Sequence, residues 1–219
     1  PRTASAAKST SKAKRPSKPA PKAARRNGSL FTTGLAPNPA NFASLTPLVF
    51  LQRSADIHPD RTAVIHGDRR FSYREFYERT KRLASALKKA GVRPGDTVSV
   101  MLPNVPAMLE AHYGVPMLGA VLNTINTRLE AATVAYILQH GEARVLITDR
   151  ELAGQVGPAL AKLKNKPLVI DVVDALYTGP GERLGSIEYE DFIAKGDPDF
   201  AWSPPENESS AIALNYTSG

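Results

Sequence analysis

Two hydroxyl residues and a glycine, Thr217, Ser218 and Gly219, follow directly on a short apolar run, Ala211-Ile-Ala-Leu-Asn215. Those residue types suit a turn that faces phosphate: glycine lets the backbone come close, and Thr and Ser hydroxyls donate to phosphate oxygens. On these residues alone a plain polar loop after a core strand is the favoured reading, because Ser, Thr and Gly are ordinary turn formers. The run in front of them, rich in Ile, Leu and Ala, is expected to be a strand buried on both faces.

Other residue types that do chemistry lack the spacing for it. The histidines His58, His66, His112 and His140 have no His-x-x-x-His or Glu-x-x-His arrangement, so they predict no metal site. There is no Gly-x-Ser-x-Gly elbow, no Gly-x4-Gly-Lys-Ser/Thr loop and no Gly-x-Gly-x-x-Gly, which removes the familiar hydrolase, nucleotide-hydrolase and dinucleotide signatures. With no cysteine, thiolate zinc sites, disulfides and a cysteine nucleophile are all excluded. Arg128 could face an anionic substrate from its loop, but beside Glu130 it reads as scaffolding for a helix start. Met108, Tyr113 and Met117 read as packing residues rather than as a pocket for an acyl chain.

Those residues need a scaffold, and 219 residues with 42% hydrophobic content can build one around a sizeable core. No apolar run approaches the roughly 18 residues of a membrane span, and the N-terminus has no secretory apolar segment. The expectation is a soluble cytoplasmic protein, with organelle import through a basic N-terminus left open. The net charge of +7 is unevenly placed. Nine of the 28 Lys/Arg fall in residues 1–29 with no acid among them, so the remaining 19 face 21 Asp/Glu, a balance of −2. That tail is Ala, Lys, Pro and Ser, with no large apolar residue before Leu30, and is expected to be disordered. Three readings of it stand: an arm for nucleic acid or an anionic membrane, a targeting peptide, or a solvated extension with no partner. Residues 30–44, with Pro37 and Pro39, read as a linker into a domain covering 45–219.

From Leu45 the pattern alternates. A helix is expected after Thr46-Pro47, with Thr46 as N-cap. A tight hairpin joins Thr62–His66 to Arg70-Phe71 through Gly67-Asp68. Ser72-Tyr-Arg-Glu75 has the form of a capping box, and a helix follows to Gly91. Strands are expected at Val98–Leu102, Ala120–Leu122, Arg144–Thr148, Leu168–Ile170 and 211–215. The helices between them start at Asn104, at a second capping box Thr127-Arg-Leu-Glu130, and at Asp149. Pro116 is expected to bend the first of these. Strands alternating with amphipathic helices require crossovers, so the fold class is α/β, a mostly parallel sheet with helices on both faces. Such sheets bind ligands at the carboxyl ends of their strands, and Thr217 follows such an end.

The ordered segments Leu45-Thr-Pro-Leu48, His58-Pro-Asp-Arg-Thr-Ala-Val64, Phe71-Ser-Tyr-Arg-Glu-Phe76, Leu83-Ala-Ser-Ala-Leu87, Gly95-Asp-Thr-Val98, Val115 through Leu129, and Asn215-Tyr-Thr-Ser-Gly219 closely resemble the front of the acyl-CoA synthetases. These belong to the AMP-binding, adenylate-forming enzymes, together with firefly luciferase and the adenylation domains of peptide synthetases. The resemblance covers roughly residues 45–219, and Asn123-Thr-Ile-Asn-Thr-Arg-Leu129 is most similar to the fatty-acid and short- or medium-chain CoA ligases.

The resemblance implies a ligase that condenses a carboxylate, expected to be a fatty acid, with ATP to give an acyl-adenylate and pyrophosphate, after which the thiol of coenzyme A displaces AMP. It implies ATP, Mg²⁺ and CoA as substrates and cofactor, and it places Thr217, Ser218 and Gly219 at the ATP phosphates. It implies further that the phosphate loop continues as Thr/Ser-Thr-Gly-x-Pro-Lys, and that the catalytic groups lie beyond residue 219. On this reading the chain is an incomplete front subdomain, a fragment expected to be inactive alone. Two alternatives stand beside it: another adenylate-forming enzyme such as an aryl-CoA ligase, and a non-catalytic interaction protein whose basic tail does the binding.

Overall fold

The computed structural model describes Phe31 and residues 34–217. The expectations for the tail at 1–29, and for Ser218 and Gly219, fall outside the described residues. The chain divides into two units, one ending at Phe42 and one beginning at Ala43. In the first, Asn38 closes a turn: its amide donates to Asn41 Oδ1 at 2.9 Å and its carbonyl accepts from the Phe42 amide at 2.9 Å.

The second unit opens with α1 (Leu48–Ile57), which buries Leu48, Leu51 and Ala55. Its N-cap is Pro47, one residue later than expected, and the Thr46 hydroxyl accepts from the Leu48 amide at 3.4 Å. The hairpin β1 (Thr62–His66) and β2 (Arg69–Ser72) is antiparallel, with Gly67 at φ +58° supplying the left-handed residue its turn needs. Then α2 (Tyr73–Lys89) starts at a complete capping box: the Ser72 hydroxyl accepts from the Glu75 amide at 3.2 Å, and Glu75 Oε2 accepts from the Ser72 amide at 2.7 Å.

The strands and helices that follow are β3 (Thr97–Met101), α3 (Pro106–Met117), β4 (Val121–Thr124), α4 (Ala131–His140), β5 (Ala143–Asp149), a 3₁₀ turn (Arg150–Leu152) leading into α5 (Ala153–Ala161), β6 (Leu168–Val172), β7 (Ile187–Glu188), α6 (Tyr189–Ala194) and β8 (Ala213–Leu214). The last six strands form one sheet in the order β7-β6-β5-β3-β4-β8, and every ladder in it is parallel. Alternation along the strands divides the core in two. Val98, Val100, Leu122, Val145, Ile147, Ile170 and Val172 pack with α1, α2, α3 and α6. Met101 and Leu146 pack with α4 and α5 on the other face. The expected α/β architecture, with helices on both faces of a parallel sheet, is therefore present.

Three local expectations are corrected. Helix α3 starts at Pro106 with Val105 as N-cap rather than at Asn104, because Pro supplies a fixed φ and lacks only an amide that a first turn leaves unpaired. Pro116 lies in its last turn. The box at Thr127–Glu130 does not form: Glu130 is the N-cap of α4 without a side-chain cap, and residues 126–129 are held instead by Asn126, whose Oδ1 accepts from the Arg128 amide at 2.9 Å. Lastly, β8 is not buried on both faces. Residues 211–213 are exposed and Leu214 is half-buried, because β8 sits at the sheet edge with β4 as its one ladder partner among the described residues.

Sequence reading missed a buried ionic cluster that clamps α2, α3 and α6 together. Arg79 Nε donates to Glu110 Oε1 at 2.6 Å, and its two terminal nitrogens donate to Glu190 at 2.8 Å each. The Tyr189 hydroxyl donates to Glu110 Oε2 at 2.7 Å. Burial works against the charge on Arg79, but the hydrogen bonds and charges of Glu190 and Glu110 outweigh it and hold its pKa above the ordinary arginine value.

Candidate functional site

Ser99 and Asn123, both buried, occupy paired positions on β3 and β4. The Ser99 hydroxyl donates to Asn123 Oδ1 at 2.9 Å, which turns the Asn123 amide nitrogen toward β8, where it donates to the Leu214 carbonyl at 2.8 Å. A buried polar pair in an apolar strand is costly unless fully bonded, and here the bonding extends a short ladder by one side-chain rung. The ladder itself has two residue pairs, Leu122 with Ala213 and Asn123 with Leu214, and the Leu122 amide donates to the Ile212 carbonyl at 3.0 Å.

Beyond Leu214 the chain leaves the carboxyl edge of the sheet. Thr124 Oγ1 donates to Asn215 Oδ1 at 3.4 Å. Tyr216 turns onto the end of α4, its hydroxyl 2.7 Å from His140 Nδ1. Burial raises the Tyr216 phenol above its ordinary pKa, with Tyr136 adding to the shift, so the phenol keeps its proton. Thr217, the next residue, is exposed. Of the three residues expected at phosphate, Thr217 alone is among the described residues, three positions beyond the end of β8.

Arg128 lies in the loop between β4 and α4 at the same edge of the sheet. Its backbone is fixed by Asn126, while its side chain is exposed and enters no ion pair among the described residues. Met117 is buried, Met108 is half-buried against the core, and the Tyr113 ring meets Phe76 edge-on at 5.7 Å, so all three serve packing. The histidines are dispersed: His66 Nε2 lies 2.8 Å from Asp174, His112 Nδ1 lies 2.8 Å from the Met108 carbonyl, and His140 meets Tyr216. Among the described residues no group of three His, Cys, Asp or Glu is arranged to hold a metal ion. No helix of the described residues is long and apolar enough to cross a membrane.

Chemically, the described part of the site offers the exposed Thr217 hydroxyl and the exposed Arg128 side chain at the carboxyl edge of the sheet. The contact between Tyr216 and α4 was not legible in advance, although a histidine and a glycine closing a helix at His140-Gly141 marked where a passing segment could dock.

Residues 51–219 match the family model described as AMP-binding enzyme. The acetate/butyrate–CoA ligase AAE7, peroxisomal, of Arabidopsis thaliana is 47% identical, with 83% of this chain and 34% of the relative aligned. The acetate–CoA ligase CCL3 of Humulus lupulus is 43% identical over 84% of this chain and 34% of its own length. Among solved structures, the anthranilate CoA ligase AuaEII in complex with anthranoyl-AMP superposes with a TM-score of 0.70 at 25% identity, covering 82% of this chain and 34% of that one. The chain spans about a third of the length of the curated relatives it matches. A family match over most of the chain, a parallel sheet that superposes on a CoA ligase, and this level of identity to two plant CoA ligases agree: the chain belongs to the AMP-binding enzyme family.

Proposed function

We propose that the protein containing this chain is an ATP-dependent carboxylate–CoA ligase. The observation that supports this most is the 47% identity to a ligase named for acetate and butyrate, extending over 83% of the chain. The reaction joins a carboxylate oxygen to the α-phosphorus of ATP and expels pyrophosphate; the CoA thiol then attacks the acyl carbon and AMP leaves. An anion attacking a polyanion needs its charge neutralised, so the first step depends chiefly on electrostatic stabilisation.

Within this chain, Thr217 is proposed as a hydroxyl donor to the ATP phosphates, with Ser218 and Gly219 continuing the same loop. An exposed hydroxyl at a strand's carboxyl end fits that role. Mg²⁺ belongs to the proposal as a counter-charge for the phosphates, with no ligand assigned to it among the described residues. The substrate class proposed is a fatty carboxylate, and the names of the two plant relatives favour its short-chain members. The anthranilate ligase likeness supports an aryl carboxylate as the second reading. The proposed compartment is the cytoplasm; a relative named as peroxisomal makes organelle import the alternative.

The test is pyrophosphate release by the longest open reading frame containing this chain, with ATP, Mg²⁺ and a panel running from acetate and butyrate to longer fatty acids, anthranilate and cinnamate. Carboxylate-dependent release followed by CoA-dependent AMP formation is expected. Activity on aryl acids alone would replace the first substrate reading by the second, and no release on any acid would overturn the ligase.

A further inference from the structure

We propose that Tyr136, His140 and Tyr216 form an aromatic anchor that positions the Thr217 hydroxyl, so that His140 and Tyr216 act as positioning residues for ATP without touching it. The inference rests on the reading of Thr217 as phosphate-facing.

The segment carrying Thr217 is weakly held by its own strand, which contributes two ladder pairs at an edge. Past Leu214, the long contact between Thr124 and Asn215 at 3.4 Å is close to the limit of a hydrogen bond. The short contact, 2.7 Å, is that of Tyr216 with His140. Three rings meet there. Tyr136 stacks on His140 with centroids 5.3 Å apart and planes at 22°. Tyr216 stands edge-on to both, at 6.5 Å and 80° from Tyr136 and at 5.7 Å and 78° from His140. Such offset and edge-on pairs are attractive beyond the area they bury. Gly141 makes the approach feasible: a Cβ there would sit 3.0 Å from the Ile137 carbonyl, 3.2 Å from Leu214 Cδ2 and 3.4 Å from the Tyr216 hydroxyl.

Helix α4 does not need this contact for its own stability, since it is seated through Val134, Ala135, Ile137 and Leu138. Tyr136 is 58% exposed and His140 is exposed, so truncating either leaves no cavity in the core. The dependence runs from helix to loop: α4 is fixed by the sheet, Tyr216 is fixed by α4, and Thr217 follows Tyr216 by one residue. Because the Tyr216 hydroxyl is engaged with His140, its part in the site is to place its neighbour.

The experiment uses the longest open reading frame containing this chain, with the variants His140→Ala, His140→Gln, Tyr216→Phe and the double variant His140→Ala/Tyr216→Phe. The KM for ATP is expected to rise about three- to tenfold in His140→Ala and Tyr216→Phe, as the loss of one good hydrogen bond predicts. The KM for the carboxylate should change less than about twofold, the double variant should be no worse than the poorer single, and His140→Gln, which keeps an acceptor, should recover part of the loss. An unchanged KM for ATP, with or without a lower Tm, overturns the anchor. If the unmutated protein releases no pyrophosphate on any carboxylate, the ligase reading fails instead. Amide exchange then judges the anchor by itself: the peptide containing Tyr216 and Thr217 should exchange at least about tenfold faster in His140→Ala, and equal rates overturn it.

Discussion

Arg79 on α2 and Glu110 on α3 are joined across 2.6 Å in the helical layer of the sheet, with the Glu110 side chain 1% exposed and that of Arg79 17% exposed. Glu110, so enclosed, is a desolvated ion without Arg79, whereas Arg79 is shared between Glu110 and Glu190.

Replacing Glu110 by Ala is expected to lower the stability of the chain by about 1–3 kcal/mol, because Arg79, which keeps Glu190, loses one of its two carboxylates and Tyr189 loses its acceptor. The double variant Arg79→Met/Glu110→Leu should lose less than Arg79→Met alone, which leaves Glu110 buried without its cation, while Glu190 keeps Arg69 at 3.2 Å in both. Urea unfolding followed by the fluorescence of Trp202, the sole tryptophan, measures them all. A double variant weaker than Arg79→Met would show that the pair acts through more than its mutual charge.

Glu190 gives the same cluster a pH dependence. Burial works to raise its pKa, but the hydrogen bonds and charge of Arg79, then those of Arg69, outweigh it, and the net shift is downward. A carboxyl whose folded-state pKa is depressed stabilises the fold above its unfolded value, and that contribution disappears as pH falls through the folded one. The stability gap between the unmodified chain and Glu190→Gln should therefore be full at neutral pH and close below the ordinary glutamate range. Urea midpoints between pH 7 and pH 3 test this, and a gap that stays constant to pH 3 would exclude Glu190 as the titrating group.

Gly114 lets α3 approach α2: a Cβ there would lie 2.8 Å from Leu83 Cδ2 and 2.9 Å from the Thr80 carbonyl. Gly114→Ala is expected to cost about 1–3 kcal/mol in spite of the better helix propensity of alanine, because the backbone carbonyl cannot turn aside as a side chain can. The same urea assay reads it, and a neutral or stabilising result would mean that the two helices separate without penalty.

The 219-residue chain alone is expected to form no acyl-adenylate, since it spans about a third of the length of the relatives it matches. Incubation with ATP, Mg²⁺ and a carboxylate panel checks it, and pyrophosphate release above a no-protein control is the contrary result. Within the longer reading frame, deleting residues 1–29 should leave release unchanged to within about tenfold, or 1.4 kcal/mol of transition-state stabilisation.

Local chemistry written into neighbouring residues was legible. Ser72 and Glu75 cap α2 because their partners lie three positions away, and Gly67 turns the first hairpin because the required φ is positive there. The box at Thr127–Glu130 failed for a reason of the same range: Asn126, one residue earlier, offers the Arg128 amide an acceptor first, and the helix starts later. The alternation of apolar strands and amphipathic helices gave the parallel sheet, since a crossover is the only short route between parallel neighbours.

By itself, then, the sequence determined the α/β class, the order of the elements as far as β6 and the position of Thr217 after a strand, because each depends on periodicity or on contacts within a few residues; β7 and α6 were not expected. The tertiary structure alone decided that this strand lies at an edge beside β4, that Arg79 meets Glu110 and Glu190 across three helices, and that Tyr216 docks on His140. Those pairings join residues separated by 31 to 111 positions, and no local pattern specifies them. They arise when burial of the two helical layers fixes which distant polar groups must satisfy one another.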